Sequence, residues 1–294
     1  MLKTDSNLSN QLTFSIIIPA LNEEKFLPLL LQDFTEQTFK QFEIIMVDGN
    51  SQDQTVAKAE SFNKSLKIKV LTAAKKGVSH QRNLGIEQAT GKWIIFMDAD
   101  NRIKPYFLQG LNYQLEKNPE IDFFTCLMAV DTYPLKHRPI IKSLNLTIEI
   151  LALFANGTSG VMGAMIGVKN SVCQKFKFNE NVHYGEDFDF VQNISRQGYQ
   201  FGCFKDPTYY TSLRRLEKDG LIRVTSAAIQ GMVQKYVLKK EAIKLKKYPM
   251  VGGGYYQEKN LTWFKKLDKL FKQASKKQIE KIKELLEKQN IKLE

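Results

Sequence analysis

Cysteine is scarce in this chain of 294 residues: Cys126, Cys173 and Cys203 are an odd number, far apart and in apolar contexts. They offer neither a disulfide framework nor a C-x-x-C metal spacing, so a reducing, cytoplasmic setting is expected. A long unbroken hydrophobic run is also missing. The apolar region 144–168 is interrupted by Glu149 and by "NGTSG" at 156–160, short of the about 20 continuous apolar residues that a membrane span needs. It reads instead as a helix, a turn and a buried strand. The opening "MLKTDSNLSNQ" has no apolar core or cleavage site and reads as a flexible N-terminus over 1–13, not a signal peptide. Neither G-x-x-x-x-G-K-[ST] nor a G-x-G-x-x-G after the first strand occurs, which argues against P-loop and Rossmann dinucleotide chemistry. Acid is scarce only at one end. Residues 1–213 carry 22 basic and 22 acidic side chains, whereas residues 214–294 carry 21 and 9, so the net charge of +12 lies wholly in the last 81 positions.

What is present is apolar material, 43% hydrophobic and 11% aromatic, enough to bury a sizeable core. The runs "FSIIIP" (14–19), "FEIIMVD" (42–48), "LKIKVLT" (66–72), "KWIIFMD" (92–98) and "IDFFTCL" (121–127) read as short strands. Helical patterns fall between them at roughly 24–36, 53–64, 78–90 and 104–117. Such alternation predicts an α/β fold with a mostly parallel central sheet flanked by helices, over residues 14–213. Ligands of such sheets bind beyond the carboxyl ends of the strands. Three ends are acidic: "PALNEE", "VDGNSQDQT" and "MDADN" set Glu23, Asp48, Asp98 and Asp100 along one rim. Four carboxylates together are costly unless a cation or hydrogen-bond donors lie between them. Mg²⁺ or Mn²⁺ suits them, keeping positions open for phosphates. Asp48 is alternatively a ribose or base acceptor, and Asp53 before Thr55 reads as a helix cap. Arg82, in "KKGVSHQRNLGIEQATG", has a fork that suits a diphosphate, or else pairs with Glu87 at the surface.

The ordered set "IIIPALNEE", "VDGNSQDQT", "KGVSHQRNLGIEQATG", "FMDADN" and "GEDFDF" resembles the family 2 glycosyltransferases of GT-A fold. The resemblance implies a nucleoside-diphosphate sugar across the strand ends. It implies Asp100 at a metal, Asp98 at ribose or metal, and Pro19, Ala20, Asn22, Glu23 and Asp48 around base and ribose. Gly49 stands where many relatives have a second aspartate. The family places a general base at the position of Asp187, which implies direct displacement with inversion. On helical spacing, Glu186 and Asp189 point together and Asp187 away, and acids here also suit a helix N-terminus. Glu186 is carried as a substrate-side residue. The small residues of "NGTSGVMGAMIG" resemble a stretch beneath the donor sugar, and His183 reads as a structural or ligand-side donor.

Arg214 and Arg215 sit where relatives place residues that close over the diphosphate. The absence of Q-x-x-R-W points to a single transfer, not polymerisation. Beyond them, the basic segment 214–294 is expected to be mainly helical. Trp263, Phe264, Leu267, Leu270 and Phe271 form a stripe opposite lysines, which suits an anionic membrane face, a dimer partner or the catalytic domain. The expected partners are a sugar donor and a sugar or lipid-linked acceptor, with a membrane surface favoured over nucleic acid. Two other readings of the D-x-D strand are a HAD-type phosphotransferase with Asp98 as nucleophile and a non-catalytic nucleotide-sugar binder.

Overall fold

The structure, a computed structural model, describes residues 12–133, 135, 137–154, 164–182, 185–214 and 217. In chain order its elements are β1 (Phe14–Ala20), α1 (Leu27–Thr35), β2 (Phe42–Asp48), α2 (Thr55–Glu60), β3 (Ile68–Thr72), α3 (Val78–Gln88), β4 (Trp93–Met97) and β5 (Asn101–Ile103). There follow α4 (Phe107–Lys117), β6 (Phe123–Met128), α5 (Arg138–Phe154), β7 (Met165–Lys169), α6 (Asn170–Cys173), α7 (Glu186–Arg196) and β8 (Phe201–Thr211).

The strands form one eight-stranded sheet in the order β3-β2-β1-β4-β7-β6-β8-β5. The β3-β2-β1-β4 half is parallel throughout, as the alternating pattern predicts. The other half departs from a mostly parallel sheet: β7 runs antiparallel to both β4 and β6, and β5 antiparallel to β8. The sheet is therefore mixed. The chain winds from β1 outward to β3, then crosses back to place β4 on the other side of β1. The carboxyl ends of β1 and β4 flank that reversal, where open α/β sheets form their ligand crevice.

Both faces of the central strands are covered, which is why β1 reads as a continuous apolar run and not an alternating one. Ile16 and Ile18 pack with Leu27, Leu30 and Phe34 of α1 and Leu111 of α4. Ile17 faces the other way, toward Ile86 of α3 and Val191 and Ile194 of α7. Gly85 lets α3 approach β1, since a Cβ there would lie 2.5 Å from Ile17 Cγ2. At the far end of the sheet from the crevice, buried Glu43 accepts from Ser15 Oγ (2.7 Å), Thr90 N–H (2.8 Å) and Thr90 Oγ1 (2.7 Å), fixing the α3–β4 turn.

The region 144–168 contributes the end of α5 and the strand β7, and the stretch between them, with most of "NGTSGVMGAMIG", lies outside the described residues. No helix among the described residues is long and apolar enough to cross a membrane. Arg215, His183, the stripe at 263–271 and residues 1–11 also lie outside them.

Candidate active site

The loops after β1 and β2 are built to hold each other. Asn22 and Asn50 adopt positive φ (55° and 69°), a conformation that Asn tolerates better than most residues. Asn22 N–H donates to Ser51 Oγ (2.8 Å) and its Oδ1 accepts from Gln52 N–H (2.7 Å). Glu23 N–H donates to Thr55 Oγ1 (2.7 Å), while Asp53 accepts from Glu24 N–H (3.2 Å) and Thr55 N–H (3.0 Å). Asp53 thus serves the start of α2 and the neighbouring loop together. Asp48, buried at the end of β2, accepts the N–H groups of Asn50 (3.0 Å) and Ser51 (3.1 Å). Pro19 and Ala20 close β1 beside it, in register with Val47 and Asp48.

β4 delivers Asp98 and Asp100 into the adjoining turn. Asn101 N–H donates to Asp98 O (3.1 Å), and β5 is held by Arg102, whose Nε and Nη2 donate to Asp33 of α1 (2.6 and 2.7 Å). Two arginines then draw the rim together. Arg82 of α3 is buried, 3% exposed, and spans from Glu186 Oε1 (3.1 Å) to Asp98 Oδ1 (3.4 Å). Arg214, just past β8, grips Glu23 with both terminal nitrogens, places Nε 3.1 Å from Asp100 Oδ2 and lies over the Phe26 ring. Tyr133 fixes the end of β8 by donating to Thr211 O (2.9 Å) and accepting Thr211 N–H (3.1 Å). Its hydroxyl is pushed up to about 12 by burial.

Burial dominates the acids themselves. Glu23 is raised by desolvation against the pull of Arg214. Glu186 is raised to about 7 by desolvation and by the neighbouring Asp187 charge, with Arg82 opposing. Along the first turn of α7, Glu186 is buried against Arg82, whereas Asp187 is half-exposed and accepts Phe188 N–H on Oδ1 (2.8 Å). Asp189 accepts from Asn193 (3.3 Å) along the helix.

The structure therefore gathers Glu23, Asp98, Asp100, Glu186, Arg82 and Arg214 into one linked cluster, with Asp48, Asn22 and the end of β1 beside it. Arg82 lies inside the protein and not in a surface pair with Glu87. Two residues to which the sequence assigned no role also serve the site: Gln81, inside the Arg82 motif, whose amide donates to Ala20 O (3.0 Å) and Val47 O (2.7 Å), and Phe178, beneath Arg82. Among the described residues no three metal-ligating side chains converge. Asp98, 40% exposed, and Asp100 supply hard carboxylate oxygens. That donor set fits Mg²⁺ or Mn²⁺ in the manner usual for these ions, one or two carboxylates with phosphates and water completing the shell.

A sequence model described as Glycosyl transferase family 2 matches residues 15–176, more than half of the chain. The chain belongs to that family. Its fold is of the GT-A type, and membership sets the HAD-type reading aside. A cholesterol galactosyltransferase of Borreliella burgdorferi is 26% identical over 217 residues, covering 69% of this family 2 chain and 60% of that protein. The chain thus spans about three fifths of the length of that relative. The solved structure of S. aureus TarS 1–349 in complex with UDP is similar with a TM-score of 0.58 at 22% identity, covering 70% of this chain and 63% of that one. Glucosyl-3-phosphoglycerate synthase from Mycobacterium tuberculosis, in complex with Mn²⁺, UDP and phosphoglyceric acid, gives 0.54 at 17% identity, covering 74% and 77%.

Proposed function

We propose that this family 2 chain is a metal-dependent inverting glycosyltransferase that moves one sugar from a nucleoside-diphosphate sugar to an acceptor hydroxyl. The observation that carries the reading is the convergence of the Asp98–Asp100 pair and the first turn of α7 at the β1/β4 crevice, joined through Arg82. Complexes of relatives with UDP and Mn²⁺ support a nucleotide-sugar donor and a divalent cation.

In this mechanism the Asp187 carboxylate accepts the acceptor's hydroxyl proton as the oxygen attacks the anomeric carbon. A new C–O bond forms on the face opposite the leaving group. The bond from that carbon to the phosphate oxygen breaks, and the nucleoside diphosphate departs with the electron pair. A divalent cation, when bound with the diphosphate, neutralises the charge that develops there. Asp100, with Asp98, would hold it. Pro19, Ala20, Asn22, Glu23 and Asp48 would shape the pocket for base and ribose, while Arg214 would border the diphosphate. The basic segment after residue 213 fits a lipid-linked or membrane-proximal acceptor, and the galactosyltransferase relative is named for cholesterol.

Asp187→Asn tests the base. Donor affinity should stay near that of the parent while transfer falls by about 10²-fold or more. Transfer at the parent rate would move the role to another group.

A further inference from the structure

One turn of α3 touches the ends of β1 and β2, the mouth of β4 and the first turn of α7. Gln81 ties the ends of β1 and β2 through two carbonyls, and Arg82 joins Asp98 to Glu186. Asn83 clamps the backbone of Phe178 from both sides: Nδ2 donates to Phe178 O and Oδ1 accepts Phe178 N–H, both at 2.9 Å. Phe178 in turn lies under the Arg82 guanidinium, 5.1 Å from carbon to ring centre, and stacks on Phe190 of α7 at 4.0 Å with planes 16° apart. The guanidinium is thus covered on one face by an aromatic ring and held at its edge by two carboxylates. A diphosphate clamp must turn two N–H groups of its fork toward the ligand. Here that would take Nη1 from Glu186 and leave a buried carboxyl, already raised by desolvation, without its cation, which is costly.

We propose that Arg82 is a positioning residue and not a diphosphate ligand. It holds the first turn of α7, and with it Asp187, at a fixed separation from Asp98 at the mouth of β4, with Glu186 as its anchoring carboxylate. The donor side and the acceptor side of the reaction are then registered to each other through one side chain. This rests on the reading of Asp187 as the base.

The test uses the full chain carrying Arg82→Met, Arg82→Lys, Glu186→Gln or the Arg82→Met/Glu186→Gln pair. Calorimetry with UDP, GDP, dTDP and CDP in the presence of Mn²⁺ selects the diphosphate, and turnover is followed with the matching sugar nucleotide. Arg82→Met should bind that diphosphate within about twofold of the parent. Its kcat should fall on the order of 10²-fold, the scale of a small misplacement of a catalytic group, with KM for the donor little changed. Amide hydrogen exchange should quicken across residues 185–190. Glu186→Gln should reproduce the kcat loss and the pair should fall no further, because groups acting as a unit are not additive. Arg82→Lys should retain part of the rate. A tenfold or greater loss of diphosphate affinity, with the nucleoside monophosphate unaffected, would make Arg82 a ligand and overturn the proposal. Unchanged kcat and exchange would overturn it too. Where Arg82→Met does not fold, Arg82→Lys and Glu186→Gln decide on the same readouts. Asp187→Asn in the same assay keeps the two readings apart: parental turnover there removes the base assignment, while exchange at 185–190 still judges the clamp.

Discussion

Glu180 shows how individual side chains hold the loop that leads into α7. It accepts from Lys75 Nζ (2.5 Å), from His80 Nδ1 (3.1 Å) and from Asn83 Nδ2 (3.3 Å), and its carboxyl is lowered to about 2, chiefly by Lys75. A depressed carboxyl contributes stability that is present above its ordinary value of 4.5 and lost as pH falls from there toward 2. Because the carboxylate is about a third exposed, the contribution should be about 1 kcal/mol or less. The urea midpoints of the parent and of Glu180→Gln should therefore differ at pH 6 and converge near pH 2. A difference independent of pH would show that these ion pairs contribute nothing. At Asp100 the expectation concerns the cation: Asp100→Ala should abolish the Mn²⁺-dependent part of nucleotide affinity in calorimetry and leave the metal-independent part in place. Undiminished metal dependence would remove Asp100 as a ligand. The rim acids Glu23, Asp48, Asp98 and Asp100 were legible, because each follows an apolar run. Their charge balance was not. Arg82 meets Glu186 across 104 positions and Arg214 meets Glu23 across 191, and sequence spacing carries no information about such pairings. The rim that looked uncompensated without a bound cation already holds two guanidinium groups.

At the scale of elements, α3 is the piece whose seating governs the site, and Gly85 governs its seating. A methyl at Gly85 would press into Ile17 Cγ2 and Cγ1, at 2.5 and 3.1 Å, in the middle of a strand covered on both faces. Gly85→Ala gains helix propensity, yet overpacking of this kind typically costs about 1–3 kcal/mol. Net destabilisation in thermal unfolding is expected, with a midpoint unchanged or higher as the contrary result. Elements were legible where the chain is continuously apolar: β2 occupies 42–48 as read, and β1 and β4 lie within a residue of theirs. α1 begins at Leu27 and not at 24, because residues 23–26 form turns anchored on the loop after β2. β5 and β8 escaped the reading for different reasons. Three residues are too few for periodicity, and the "KDP" in β8 breaks an otherwise apolar pattern that survives by pairing with β6 and β5.

The whole molecule is electrically lopsided: residues 1–213 are neutral in sum and all twelve excess positive charges follow them. Each Lys or Arg near an anionic membrane contributes on the order of 1 kcal/mol, fading within a Debye length. Sedimentation with vesicles should therefore require anionic lipid, weaken with salt and drop when residues 259–294 are removed from a folded chain. Equal pelleting with neutral vesicles, or none with either, would leave the charge without a membrane role. The ion pair between Arg214 and Glu23 also has a meaning in time. It joins the loop after β1 to a residue just past β8, 191 positions later. At about 5–20 residues per second, a ribosome delivers the second partner roughly 10–40 s after the first. All four parallel strands are complete part-way through that interval, and from then until its end the carboxylate of Glu23 still lacks the guanidinium that balances it. Among the described elements, the crevice therefore gains this ion pair only after every strand of the sheet has been made.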